Sequence, residues 1–186
     1  KRNVIHLTAK GRQQASTLVT TSGHSMSIES TDGLHGRESE LGQLEAALAD
    51  GAAILTGMPG IGKTALLQAL PSTRYVTMDA SMDAQMLVAS WLEMDDAPID
   101  LEAHMDMLSA VNEVLVADEV QDVHPRHQDG VHALLEGLLE SKTRVAIGMR
   151  APCPFDNAIT LSGIDAEAGQ KLLGAEVDSE TASDVC

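Results

Sequence analysis

Residues 57–64 have the sequence GMPGIGKT and stand between an apolar run and a helix-forming segment. The apolar run, residues 52–56, is short and bounded by glycines, as is typical of a strand buried on both faces of a parallel sheet. The segment that follows predicts a helix over residues 63–70, ended by Pro71. A buried strand, a glycine-rich turn and a helix in this order indicate an α/β fold built on a parallel sheet.

The glycines of this turn predict a phosphate site. They leave room for backbone N–H groups to point into one small concavity, and the positive end of the next helix faces the same anion. Lys63 is placed to reach the β- and γ-phosphates, and the Thr64 hydroxyl to bind Mg²⁺. The alternative is a turn that only connects two elements. The position of residues 57–64 between a strand and a helix favours the phosphate site. The candidate nucleotide-binding residues of the turn are Gly57, Pro59, Gly60, Ile61, Gly62, Lys63, Thr64 and Ala65.

Two acids follow the apolar run at residues 113–117, which predicts the third strand. A metal held by phosphates and one hydroxyl needs an anion to orient its water shell, so Asp118 joins Thr64 as a candidate metal ligand. Glu119 is a candidate general base, because a carboxylate near the γ-phosphate can take a proton from the attacking water. The alternatives are a surface acid at Asp118 and an inert neighbour at Glu119.

Arg150 follows the strand predicted at residues 144–148, so its side chain emerges at the edge of the sheet where ligands collect. There it can neutralise charge on the γ-phosphate, or it can pair with one of the abundant acids. We count Lys63, Glu119 and Arg150 as the candidate catalytic residues.

The rest of the chain continues the alternation of helices and strands that is typical of a parallel sheet with right-handed crossovers. The remaining predicted strands are residues 74–78 and 158–161, and the remaining predicted helices are residues 37–49, 81–92, 101–110 and 131–139. The fold class we expect is therefore an α/β P-loop NTPase sandwich.

Composition excludes several classes of function. Asp and Glu number 28 against 12 Lys and Arg, a formal charge of −16, so this segment should not bind nucleic acid directly. Residues 75–125 contain no Lys or Arg, which argues against a small-molecule kinase with a basic acceptor pocket. Cys153 and Cys186 lack disulfide or zinc spacing, which suits a cytoplasmic protein. No apolar run approaches the roughly 20 residues that cross a bilayer.

The sequence resembles the STAND class of signalling ATPases within the AAA+ group. The NB-ARC and bacterial NACHT-like ATPases are related to this class. Residues 34–41, with Gly-Arg-Glu before a helix, are similar to that family's N-terminal motif and place Arg37 among the nucleotide-binding residues. The turn that contains Pro59 is similar to the family's phosphate motif, and residues 114–122 are similar to its acidic strand end. Arg150 lies at the family's sensor position, although Met149 replaces the usual Thr or Ser.

The resemblance implies a Mg²⁺-dependent ATP-binding and hydrolysing switch whose full-length form self-associates and carries effector or sensor domains. The resemblance covers residues 34–186 and implies an ATPase core over residues 34–163 and the start of a truncated helical lid over residues 164–186. Residues 1–33, rich in Ser, Thr and Gly, are predicted to be a strand and linker or the remnant of an upstream domain. ATP is favoured over GTP because a guanine-reading Asn-Lys-x-Asp motif is absent. A small-molecule P-loop kinase and a nucleotide-stabilised scaffold without turnover are the alternatives.

Overall fold

The computed structural model describes residues 34, 36–141, 143–164 and 168, which belong to one compact unit. Its helices are α1 (Glu38–Ala49), α2 (Lys63–Gln68), α3 (Ala84–Leu92), α4 (Leu101–Ser109) and α5 (Pro125–Glu140). Its strands are β1 (Ala52–Thr56), β2 (Thr73–Thr77), β3 (Val114–Asp118), β4 (Val145–Met149) and β5 (Ile159–Thr160), and a 3₁₀ turn spans Val120–Asp122. None of the described helices is long and apolar enough to span a membrane.

The five strands form one parallel sheet in the order β2-β3-β4-β1-β5. This confirms the predicted α/β fold. Because the strands are parallel, the turn after β1 and the acids at the end of β3 lie at the same edge of the sheet, separated by β4. The predicted domain boundaries stay predictions, since residues 1–33 and nearly all of residues 165–186 lie outside the described part.

Several helix ends differ from the predicted bounds for local reasons. Helix α3 begins at Ala84, later than predicted, because the Asp83 side chain accepts a hydrogen bond from the N–H of Met86 and caps the helix. Helix α5 begins earlier, at Pro125, whose missing N–H and fixed φ suit the first helical position. Helix α2 ends at Gln68 instead of Leu70.

Each face of the sheet packs against its own helices. One apolar cluster joins the sheet to α3, α4 and α5, and the other joins it to α1 and α2. Along β3, Leu115 and Ala117 belong to the first cluster, whereas Val114 and Val116 belong to the second. This alternation, which follows from the two-residue period of a strand, decides which way the last residue of β3 points.

Candidate nucleotide site

Asp118 is the last residue of β3 and lies on the same face as Val116, towards α2. Thr64 is the second residue of α2, whose first turn packs over that face. The turn between β1 and α2 therefore brings the Thr64 hydroxyl to the carboxylate, although 54 residues separate them in sequence.

Three donors hold the carboxylate of Asp118, which is 1% exposed. The hydroxyl groups of Thr64 and Tyr75 both donate to Oδ2, each at 2.6 Å. The backbone N–H of Glu119 donates to Oδ1 at 2.8 Å. Hydrogen bonds to an ionised acceptor are shorter and stronger than neutral ones, so these contacts fix the carboxylate in one orientation.

Tyr75 keeps its proton in this arrangement. Burial raises the pKa of its hydroxyl above the ordinary value, and the hydrogen bond to Asp118 and the charge of that carboxylate raise it further. The phenol is therefore a donor throughout the physiological pH range.

Gly148 in β4 makes room for the carboxylate of Asp118. A Cβ atom at this position would lie 2.3 Å from Oδ1 of Asp118 and 2.6 Å from Cδ1 of Leu67. Both distances are far inside van der Waals contact, and Leu67 is fully buried. Strand β4 can pass beside the carboxylate only because Gly148 lacks a side chain. An isolated glycine inside a strand is a sequence signal for such a close approach.

Lys63 is the first residue of α2 and is only 4% exposed. Its ammonium group donates to the carbonyl oxygens of Gly57 at 3.2 Å and Met58 at 3.1 Å. The ion pairs found among the described residues do not include it. A buried ammonium carries three donors and is costly without a compensating anion, so this position favours an anionic ligand.

Two glycines of the turn adopt left-handed backbone conformations, with φ of +77° at Gly60 and +102° at Gly62. Side chains rarely tolerate this region, which explains why glycine occupies both positions. A Cβ atom at Gly60 would meet nothing within 4 Å, and Met58, Pro59 and Ala65 are exposed. The outer side of the turn is therefore open to a ligand.

Glu119 and Arg150 contact each other. Arg150 Nη2 donates to Glu119 Oε2 at 3.0 Å and lies 3.6 Å from the carboxylate of Asp122. Gln121 donates to the same oxygen of Glu119 and accepts the backbone N–H of Arg150 at 2.7 Å. Glu119 has a positive φ of 56°, a conformation that costs a non-glycine residue about 1 kcal/mol or more.

Arg37 lies beside the turn and is 6% exposed. Its Nη2 donates to the carbonyl oxygens of Ile61 at 2.9 Å and Ser162 at 2.6 Å, and its Nη1 donates to Glu40 at 2.7 Å. The guanidinium group thus joins the turn to the segment after β5. Its contact with a nucleotide stays a prediction.

Two open grooves of about 540 and 760 Å³ lie away from these residues. The larger groove is lined by residues just before β1, β3 and β4, so it lies at the opposite edge of the sheet. None of the predicted site residues lines either groove. We place the candidate site at the turn, because the buried cation and the paired oxygen ligands are there.

The structure thus brings four of the predicted residues into contact as two pairs, Thr64 with Asp118 and Glu119 with Arg150. The Lys63 ammonium group contacts backbone carbonyl oxygens of the turn. Sequence reasoning missed the contribution of Tyr75, because nothing in a lone tyrosine on a predicted strand indicates a partner 43 residues away.

No protein-family model and no curated protein matches the sequence. Similar solved structures include a signal transduction ATPase with numerous domains (STAND) that carries a tetratricopeptide repeat sensor, from Pyrococcus horikoshii, with 17% identity and a TM-score of 0.57. They also include Drosophila ORC in its structure bound to DNA, with 18% identity and a TM-score of 0.54. The match with the STAND protein covers 81% of our chain and 27% of that protein. The match with ORC covers 100% of our chain and 57% of the ORC chain.

The parallel α/β fold, with its glycine-rich turn between β1 and α2, is the fold of P-loop NTPases. At the level of fold, the chain is similar to this STAND ATPase and to ORC, in agreement with the resemblance that the motifs indicated. It spans less than two thirds of either similar chain.

Proposed function

We propose that the chain is the Mg²⁺-dependent ATP-binding and hydrolysing switch domain of a larger signalling protein. The observation that carries this proposal is the buried ammonium of Lys63, with carbonyl oxygens as its partners, in the residue next to the Thr64–Asp118 pair. The ammonium group has three N–H donors, and the two carbonyl oxygens do not neutralise its charge. It is therefore suited to bind the β- and γ-phosphates of a nucleotide.

The oxygen ligands at the site suit Mg²⁺. Thr64 donates its only hydroxyl proton to Asp118, so the lone pairs of its oxygen remain available to a cation. Thr64 would bind the ion directly, and Asp118 would orient its water shell, since Mg²⁺ prefers oxygen ligands and keeps several waters. When bound, the ion would offset negative charge on the phosphate oxygens.

Hydrolysis requires a water molecule to attack the γ-phosphorus, the bond to the β-phosphate oxygen to break, and a proton to leave the water. Glu119 would accept this proton on its carboxylate, which lies next in sequence to the metal-site acid. Arg150 and Gln121 both donate a hydrogen bond to one oxygen of Glu119. In the proposed switch, Arg150 exchanges this contact for one with the γ-phosphate when nucleotide binds.

The switch role is supported further by Arg37, because it joins the phosphate turn to the segment after β5 through hydrogen bonds to both. We propose that the full-length protein uses this domain for nucleotide-controlled self-association and carries effector or sensor domains in the same chain. The similarity to a STAND protein with a sensor supports this at the level of fold.

A scaffold that binds nucleotide without turnover is the second candidate, and the contacts that occupy Glu119 favour it. The two functions share the binding site and differ only in whether phosphate is released. Phosphate release with ATP·Mg²⁺ at a rate above that of a Lys63→Ala control would support the hydrolysing switch.

Calorimetry with the 186-residue chain tests the binding site. We expect ATP·Mg²⁺ to bind, GTP·Mg²⁺ to bind more weakly, and Lys63→Ala to lose at least about tenfold in ATP affinity, because each charge-assisted hydrogen bond contributes about 1.5–3 kcal/mol. Arg126→Ala, which removes a cation from the exposed surface of α5, is the matched control and should bind ATP normally. A folded Lys63→Ala variant with unchanged affinity would contradict the site.

A further inference from the structure

Tyr75 takes part in the candidate metal site, although it lies on a different strand from the acids. Its hydroxyl donates to Oδ2 of Asp118 at 2.6 Å, the same oxygen that accepts from Thr64 at 2.6 Å. One carboxylate oxygen therefore holds two hydroxyl groups, one from β2 and one from the helix that follows the phosphate turn.

The sheet register explains why a tyrosine is needed at this position. In the parallel pairing of β2 with β3, Tyr75 lies opposite Val116, whereas Thr77 lies opposite Asp118. The hydroxyl must therefore reach two residues along the strand, roughly 6.6 Å at the usual rise per residue. A phenol ring can cover this distance on the α2 face, and the short hydroxyl side chain of Ser or Thr cannot.

The contacts leave the carboxylate of Asp118 little freedom to rotate. Oδ1 accepts the N–H of Glu119, Oδ2 accepts two hydroxyl groups, and the missing side chain of Gly148 lets the group lie against β4. Without Tyr75, Thr64 would be the single donor to Oδ2, and Thr64 itself is exposed. The orientation of the Thr64 hydroxyl would then be less well defined.

We infer that Tyr75 is a positioning residue of the metal site: it fixes Asp118, and through Asp118 it turns the lone pairs of the Thr64 hydroxyl towards a bound Mg²⁺ ion. This inference rests on the proposed function. It assigns Tyr75 no contact with nucleotide and no proton transfer. Groups that orient metal ligands in this way typically contribute 10- to 100-fold to metal affinity.

The Tyr75→Phe variant of the 186-residue chain tests this role, because phenylalanine keeps the ring and removes the donor. ATP affinity is measured by calorimetry over a series of Mg²⁺ concentrations and again in EDTA. We expect the Mg²⁺ concentration for half-maximal enhancement of ATP binding to rise about tenfold. Affinity for ATP in EDTA should stay unchanged, because the phosphate turn and Lys63 are intact. A merely structural defect would lower both affinities together.

Two further variants separate positioning from other effects. Thr73→Val removes a hydroxyl from the other end of the same strand, opposite Val114, and should leave the Mg²⁺ dependence unchanged. In an Asp118→Asn background, adding Tyr75→Phe should cause little further change, since Tyr75 acts through that carboxylate.

An unchanged or lowered Mg²⁺ requirement in folded Tyr75→Phe overturns the inference, and so does full additivity with Asp118→Asn. If wild type binds ATP with Mg²⁺, Lys63→Ala loses this binding and Asp118→Asn raises the Mg²⁺ requirement, the proposed nucleotide and metal site stands whatever Tyr75→Phe does. If wild type shows no Mg²⁺-dependent ATP binding, the proposed function fails first, and the inference falls with it.

Discussion

The guanidinium group of Arg150 donates a hydrogen bond to Oε2 of Glu119 at 3.0 Å, so two candidate catalytic side chains hold each other across the ends of β3 and β4. The side chain of Arg150 is 41% exposed and that of Glu119 is 25% exposed, so water screens the pair. Such a contact is weak enough to exchange for a contact with phosphate.

Glu119→Gln should separate binding from hydrolysis. Glutamine keeps the size of the side chain but cannot accept a proton, so ATP·Mg²⁺ affinity should stay within about threefold while any phosphate release falls roughly 100-fold or more. Calorimetry and a phosphate-release assay on the same preparation measure the two effects. Asp118→Asn is the contrasting variant, because it should weaken Mg²⁺-dependent binding itself. Equal hydrolysis by wild type and Glu119→Gln would leave Glu119 without a catalytic role.

The Glu119–Arg150 pair should contribute little to stability. We expect a double-mutant cycle with Glu119→Gln and Arg150→Met to give a coupling energy of about 0.2–1 kcal/mol, which decreases in 1 M salt. Urea unfolding can be followed by the fluorescence of Trp91, the only tryptophan, which is 1% exposed. A coupling energy above about 2 kcal/mol would show that the pair is a rigid structural element and would argue against its exchange for phosphate.

Gly148→Ala should damage both stability and the metal site. The added Cβ would meet Asp118 Oδ1 at 2.3 Å and Leu67 at 2.6 Å, and overpacking of this kind typically costs about 1–3 kcal/mol. Displacing the carboxylate should also raise the Mg²⁺ requirement for ATP binding. Gly130→Ala in α5 is the matched control: a Cβ there meets nothing within 4 Å, so the helix should gain up to about 1 kcal/mol. Equal stability of the two variants would contradict the crowding at Gly148.

Arg37→Met should destabilise the domain by about 2–4 kcal/mol. The change removes a nearly buried guanidinium group and leaves the carbonyl oxygens of Ile61 and Ser162 and the carboxylate of Glu40 without their donor. The free energy of unfolding in urea is the measurement. Arg126→Met, on the exposed surface of α5, should change it by no more than about 0.5 kcal/mol. A loss below about 1 kcal/mol for Arg37→Met would mean that the bridge between the turn and the segment after β5 is unimportant for stability.

Short-range patterns were sufficient to predict the helices, the strands and their parallel arrangement. The run before Gly57 and the run before Asp118 are apolar without alternation, because both faces of the sheet are covered by helices. Helix ends were less well predicted, since the beginning of α3 depends on a single cap by Asp83.

For the site, the sequence by itself determined which residue types meet at the carboxyl edge: the glycines of the turn, Lys63, Thr64 and Asp118. These residues lie at or next to strand ends, and the carboxyl ends of the strands meet at one edge because the strands are parallel. The tertiary structure alone decided the strand order, the pairing of Arg150 with Glu119, and the roles of Tyr75 and Gly148. Such contacts depend on register and packing between distant segments, and the periodicity of a single segment carries no information about its neighbours in the sheet.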